Sequence, residues 1–196
     1  MTQAAAAAFL MLVLLFGGPW VTVQSTGAPE PQPARTAQEQ TDAPGADESS
    51  VLRVWNGTET VEMTMAAYLP GVVRGEMPAT FEEEALKAQA VAERTYIYYH
   101  LQRGGKANHP DADVCMDHTC CNAWTGAEQA AQKWGEQAEA YEAKIQEAVR
   151  ATDGQVMLYN GQLILAAFHS SSDGVTASCR DVWVQDLPYL ASVASP

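Results

Sequence analysis

Basic side chains are scarce in this chain. Its 196 residues carry 11 Lys and Arg against 24 Asp and Glu, a formal charge of -13. A field of that sign repels phosphate backbones, which excludes nucleic acid as a partner, and a neutral glycan suits such a surface better than a polyanion does. Residues 3–29 lack any charged side chain, and residues 25–50 lack any large apolar one. No Gly-x-Ser-x-Gly elbow occurs either, so the Ser, His and Asp residues near the C-terminal end do not read as a hydrolase triad.

The uncharged beginning has one natural use. Ala4 to Phe16 is an apolar run that continues through Gly17-Gly18-Pro19-Trp20 to Val23, and a bilayer core takes about 20 apolar residues to cross. Met1-Thr2-Gln3 offers no basic start and no clean small-x-small cleavage site follows. An uncleaved membrane anchor over residues 1–24 is therefore expected, with secretion after signal cleavage as the alternative; either way the domain lies outside the cytoplasm. Residues 25–50, with four prolines and no core-forming side chain, cannot offset their ordering entropy and read as a disordered, extended linker. That leaves residues 51–196 as one domain of ordinary size.

Two Asn-Gly dipeptides organise the domain's strands. Val51–Trp55 and Thr58–Met63 flank Asn56-Gly57, and Val156–Tyr159 and Leu163–Phe168 flank Asn160-Gly161; both read as hairpins, the second the stronger. Between them, Phe81 to about Arg103 spaces Phe81, Ala85, Ala88, Ala92, Tyr96 and Tyr99 along one helical stripe, with Glu83 four residues before Lys87 outside. A further helix runs from about Gly126 to Val149, breaks near Gly135 and stops at Asp153-Gly154. The expected fold class is α+β: a single globular domain of hairpins packed around helices.

Three clusters could carry chemistry. Glu76 closes a short helical segment that opens near Thr64, because Pro78 forces Met77 out of the helical region. The partial negative charge at a helix end disfavours a carboxylate and favours the protonated form that a general acid needs, although a solvated helix-end glutamate is the plainer reading. Arg94 shares a second stripe of the long helix with Leu86 and Leu101. It could hold Glu76 or a substrate oxygen through its planar fork, or be paired structurally. His109, Cys115, Cys120 and Cys121 fall within thirteen residues, with His118 as a spare. They can supply four soft ligands to a structural Zn²⁺, while disulfides that recruit Cys179 are the alternative in an exported protein. Finally, His169, Ser170, Ser171, Ser172 and Thr176 follow the second hairpin, where hydroxyls can line a sugar-binding cleft or form an ordinary turn.

The order of these residues resembles a known family. Tyr68-Leu-x-Gly-Val-Val-x-x-Glu76-Met-Pro, Glu84-Ala-Leu-Lys-Ala-Gln-Ala-Val-Ala-x-Arg94-Thr-Tyr, Cys121-Asn-Ala-Trp-x-Gly126, His169-Ser-Ser-Ser-x-Gly-x-Thr176 and Pro188-Tyr-Leu-x-Ser-Val193 are similar to stage II sporulation protein D and its amidase-enhancer relatives, over roughly residues 52–194. The resemblance implies a lytic transglycosylase that cuts peptide-free peptidoglycan glycan strands during engulfment in sporulation, at the membrane, with a SpoIIP-like cell-wall amidase as partner. It implies Glu76 as the catalytic glutamate, Arg94 as a required arginine, and zinc held by His109, Cys115, Cys120 and Cys121. A noncatalytic wall-binding module that enhances an amidase is the alternative. Cys120 stands where the family has a histidine, Asn122 and Trp124 stand where it has Gln and Tyr, and Pro70 is expected to kink the helix before Glu76. Full-length relatives continue past the position of Pro196, so part of the substrate groove would lie beyond it.

Overall fold

The structure, a computed structural model, describes residues 45–105, 108–109, 111–183 and 185–195. The expected anchor, and the expected linker up to residue 44, lie outside the described residues. Among the described residues no helix is long and apolar enough to cross a membrane. The elements run α1 (Ala46–Ser49), β1 (Val51–Trp55), β2 (Thr60–Thr64), α2 (Met65–Glu76), α3 (Glu83–Leu101), β3 (Val114–Cys115), α4 (Ala127–Trp134), α5 (Ala138–Ala151), β4 (Leu158–Tyr159), β5 (Gln162–Leu163) and α6 (Cys179–Val182). Helices and small sheets thus give the α+β class expected.

β1 and β2 form the first hairpin, in register Val51↔Thr64 to Trp55↔Thr60. The turn is longer than a two-residue connection because the Asn56 side chain builds it, its Oδ1 accepting from the amides of Thr58 and Glu59 at 2.9 and 3.0 Å. β3 adds to the free edge of β1 in parallel, Val54↔Val114 and Trp55↔Cys115. A strand of two residues has no periodicity to read, so sequence patterning gave no sign of it. The second hairpin makes the expected two-residue turn with Asn160 and Gly161 at φ 49° and 76°. Its strands are only Leu158–Tyr159 and Gln162–Leu163, shorter than the apolar runs around them suggest.

The core lies where β1 meets α2, α3 and α5. Leu52 and Val54 alternate inward from β1, and Met65, Leu69, Val72 and Val73 of α2 meet Leu86, Ala90 and Ile97 of α3 and Ile145, Ala148 and Val149 of α5. The face of α3 that is buried is therefore the Leu86–Ala90–Ile97 stripe. The expected stripe is displaced from it: Phe81 is exposed, and Ala85, Ala92, Tyr96 and Tyr99 are only partly buried. Alanines carry little apolar area and each tyrosine brings a hydroxyl that needs a partner, so Leu86 and Ile97, wholly aliphatic, take the inward face. Glu83 and Lys87 pair outside at 2.7 Å, as the spacing predicts.

One boundary moves. Residues 45–50, assigned by composition to the linker, are part of the fold: α1 buries Asp47, and Asp153 receives the amides of Ala46 and Asp47 at 2.8 Å each. The tie is polar, and a reading that counts apolar residues cannot detect it.

Candidate functional site

Glu76 is the last residue of α2, and Met77 leaves the helix with φ -131° and ψ 133°. Thr64 caps the other end, accepting from Ala67 N at 3.2 Å, and the helix runs on through the buried Pro70. The Glu76 carboxyl is half-buried, and its Oε1 accepts from the Ala123 amide at 2.6 Å. One carboxyl group, partly open to solvent, is thus aimed by a backbone donor.

That donor belongs to a loop laid along α2. Trp124 Nε1 donates to the Tyr68 carbonyl at 3.2 Å, Thr125 N to the Gly71 carbonyl at 2.9 Å, and Arg74 to the Thr125 carbonyl at 3.0 Å. Arg74 is in turn fixed by Glu142 of α5 through 2.8 Å contacts. Such close approach of a chain to a helix requires missing side chains. A Cβ at Gly71 would overlap the Trp124 indole, and one at Gly75 would overlap the Ala123 carbonyl. Gly71 and Gly75 lie one helical turn apart, on the face that the loop crosses. The Trp124 that departs from the family's tyrosine keeps a polar handle with which to bind the helix.

Arg94 does not meet Glu76. It is fully buried and its fork is filled by Asp47, with Nε 2.8 Å from Oδ1 and Nη2 2.6 Å from Oδ2. The carbonyls of Gln155 and Val149 take further donors at 3.1 and 3.4 Å. Of the two roles open to it on sequence, the structure gives the structural one: Arg94 ties α3 to α1 and to the end of α5, and with no exposed surface it cannot touch a substrate.

A second carboxyl group, Glu93, which sequence reasoning missed, feels the charge of Glu76. Glu93, on α3 and fully buried, accepts from Gln89 Nε2 at 2.7 Å and from Asn122 Nδ2 at 2.5 Å. Burial pushes its pKa from 4.5 up to about 8, with the charge of Glu76 adding to the rise and the two amide donors opposing it. The signal was available in the sequence as a carboxylate on the stripe of Leu86, Ala90 and Ile97, had that stripe been recognised as the buried one. A consequence follows for stability. A raised pKa means that the folded state holds a proton which the unfolded state releases, so Glu93 supports folding fully below pH 4.5 and loses that contribution as pH rises through about 8. Urea titrations at pH 5, 7 and 9 should show the parent losing up to about 1.4 kcal/mol per pH unit from this group, a slope that is missing in Glu93→Gln.

His109, Cys115, Cys120 and Cys121 converge, their donor atoms lying within 4.8 Å of one another. β3 holds Cys115 against β1, and Tyr68 of α2 donates to the Cys115 carbonyl at 2.8 Å. His109 Nδ1 lies 3.0 Å from the Ala112 carbonyl, which directs Nε2 inward to 3.2 Å from Cys121 Sγ. Anchoring of one ring nitrogen by a carbonyl is the usual preparation of a histidine ligand. His118 is exposed beside Asp117 and stays outside the cluster. Cys179 is also elsewhere, its Sγ accepting from Leu187 N at 3.0 Å.

The C-terminal hydroxyls occupy a separate region. His169, Ser171, Ser172 and Thr176 line a cleft of about 820 Å³ together with Phe168 and Trp183. All of its walls come from residues 167–193, so Glu76 is not among them, and neither is Ser170. The Thr176 hydroxyl is engaged with the chain's own backbone, accepting from Val193 N at 2.9 Å beside the antiparallel bridge Val175↔Ala194.

The described residues thus form a mixed α/β domain with a helix-end glutamate, a loop fixed across its helix and a Cys/His cluster in the same α3–α4 connection. The chain belongs to the stage II sporulation protein D family: the family described as SpoIID, Stage II sporulation protein, matches residues 56–159. It is 39% identical over 129 residues to "Stage II sporulation protein D" of Bacillus subtilis (strain 168), covering 66% of this chain and 38% of that protein. The corresponding protein of Bacillus amyloliquefaciens is 38% identical over 130 residues, with the same coverages of 66% and 38%. "Amidase enhancer" of Bacillus subtilis (strain 168) is 37% identical over 122 residues, 62% of this chain and 14% of that protein. The chain thus spans well under half the length of these relatives.

Proposed function

We propose that this domain is a lytic transglycosylase that cleaves peptide-free peptidoglycan glycan strands during sporulation, with Glu76 as its acid and base. The observation that carries the reading is the single half-buried carboxyl group held by Ala123 N at a helix end. One carboxyl suffices for this chemistry. Protonated, it gives its proton to the glycosidic oxygen as the bond to the anomeric carbon breaks. As carboxylate, it then takes the proton of the sugar's own 6-hydroxyl while that oxygen closes an anhydro ring on the anomeric carbon. No water enters, so the second carboxylate at about 5 to 9.5 Å that hydrolysis requires has no task. Glu93 is too deeply buried to act as one.

Zinc fits the Cys/His cluster. His109 would bind through Nε2 and Cys115, Cys120 and Cys121 as thiolates, and four protein ligands leave no open position, so the ion would be structural. Cys120 in place of a histidine preserves a sound Cys₃His set. Because Asn122 and Ala123 follow directly on Cys121, the ion would also anchor the loop that aims Glu76. The purified protein is expected to carry about one zinc per chain, and a strong chelator should lower its melting temperature markedly. A folded, zinc-free chain whose melting ignores chelators would remove the metal from the proposal.

The second reading, a noncatalytic module that enhances a cell-wall amidase, is favoured by one observation, the 37% identity to a protein named for that role. In either case the partners would be glycan strands and an amidase, outside the cytoplasm at the membrane. Product chemistry separates the readings. Mass spectrometry of peptide-free strands incubated with the full chain should show new anhydro-muramic ends, each one water lighter than a hydrolysed end. New ends of the reducing kind, or none from a folded protein, would exclude the transglycosylase.

A further inference from the structure

Glu93 has no place in the reaction as written, yet the fold spends a buried carboxyl group on it. An alanine or leucine would continue the apolar stripe of Leu86, Ala90 and Ile97 without the cost of taking a carboxyl group out of water. What Glu93 reaches is specific. Gln89, one turn earlier on the same helix, fixes its Oε1, and its Oε2 accepts from the side chain of Asn122, itself almost fully buried. The peptide that follows Asn122 carries the Ala123 N–H, the group that binds the Glu76 carboxyl at 2.6 Å. Resting on the reading of Glu76 as the acid, we infer that Glu93 is a positioning residue, which holds the Asn122–Ala123 peptide so that its amide aims the Glu76 carboxyl.

The other ties of the loop leave this task open. Trp124 and Thr125 bind Tyr68 and Gly71, nearer the start of α2, and Arg74 takes the Thr125 carbonyl. These fix the loop beyond Ala123, and Cys121 lies before it. Asn122 to Glu93 is the side-chain tie immediately next to the amide, and it joins the loop to α3 where the rest join it to α2.

The test uses Glu93→Ala and Glu93→Gln in the full chain. The alanine removes the anchor. The glutamine keeps the volume, and Asn122 can turn its amide to meet it. The first readout is hydrogen exchange of the Ala123 amide, which needs no activity and therefore stands even if Glu76 proves not to be the acid. Exchange should accelerate at least tenfold in Glu93→Ala and stay near the parent's rate in Glu93→Gln. The second is kinetic: kcat on glycan strands should fall roughly 10- to 100-fold in Glu93→Ala with KM nearly unchanged, and return largely in Glu93→Gln. If Glu93→Ala does not fold, Glu93→Leu, which restores the buried volume without an acceptor, replaces it with the same expectations. Unchanged Ala123 exchange in a folded variant that lacks the acceptor, or equal losses in Glu93→Gln and the apolar variant, would overturn the inference.

Discussion

Asp47→Ala is expected to cost about 3 to 5 kcal/mol of folding stability, measured as a shift of the urea midpoint at unchanged slope. Asp47 and Arg94 are 2% and 0% exposed, and removal of the carboxylate would leave a buried guanidinium that cannot lose its proton. The carbonyls of Gln155 and Val149 would remain as partners, but neither bears a charge. Against a total stability that is commonly only 5 to 15 kcal/mol, the loss would leave a domain unfolded to a measurable degree at growth temperature. Asp47→Asn, which keeps one acceptor, should recover part of it. A loss under about 1 kcal/mol would mean that Arg94 finds water or another acid, and its structural assignment would fall. The same pair bears on how the domain is delimited. A fragment that begins at residue 51 lacks α1 and Asp47, and should resemble the alanine variant in stability.

The elements that could be read from the sequence were those with local signals. Asn-Gly turns marked both hairpins, glycines with positive φ marked the break at Gly135 and the stop at Gly154, and Pro78 fixed the end of the helix at Glu76. Spacing brought His109 and the three cysteines together as candidates but left His118 and disulfides with Cys179 open; the set that converges is the one the family resemblance implies. The features that could not be read depend on partners distant in the chain. Asp47 sits in a stretch with the composition of a linker, and Arg94 and Asp153, 47 and 106 residues away, make it part of the fold. The planar fork of Arg94 suits Glu76 or a substrate oxygen as well as a structural partner, and the fold gives it Asp47 of α1. Glu93 and Asn122 are ordinary polar letters until α3 and the loop after Cys121 are brought together. Gly71 and Gly75 look like helix-weakening residues, and their use emerges only when the loop is seen crossing them.

The proposed function therefore rests on a layered support. α3 carries Glu93, which holds Asn122; α2 carries Glu76 at its end and accepts the loop on its glycine face; the Cys/His cluster closes the other end of the same loop. The cleft at residues 167–193 draws no wall from this arrangement; Trp183, Ser171 and Ser172 are among the residues that line it.

The most direct measurement compares the full chain with Glu76→Gln on peptide-free glycan strands, counting anhydro-muramic ends over time by mass spectrometry. Gln has the shape of Glu and can still accept from Ala123 N, so the fold and the zinc content should be unchanged. It cannot donate a proton to the glycosidic oxygen, and the rate should fall by at least about 100-fold, the lower bound for loss of a positioned general acid. Anhydro ends from the parent and almost none from a folded Glu76→Gln are the predicted result. Equal rates from the two proteins would show that the acid lies elsewhere.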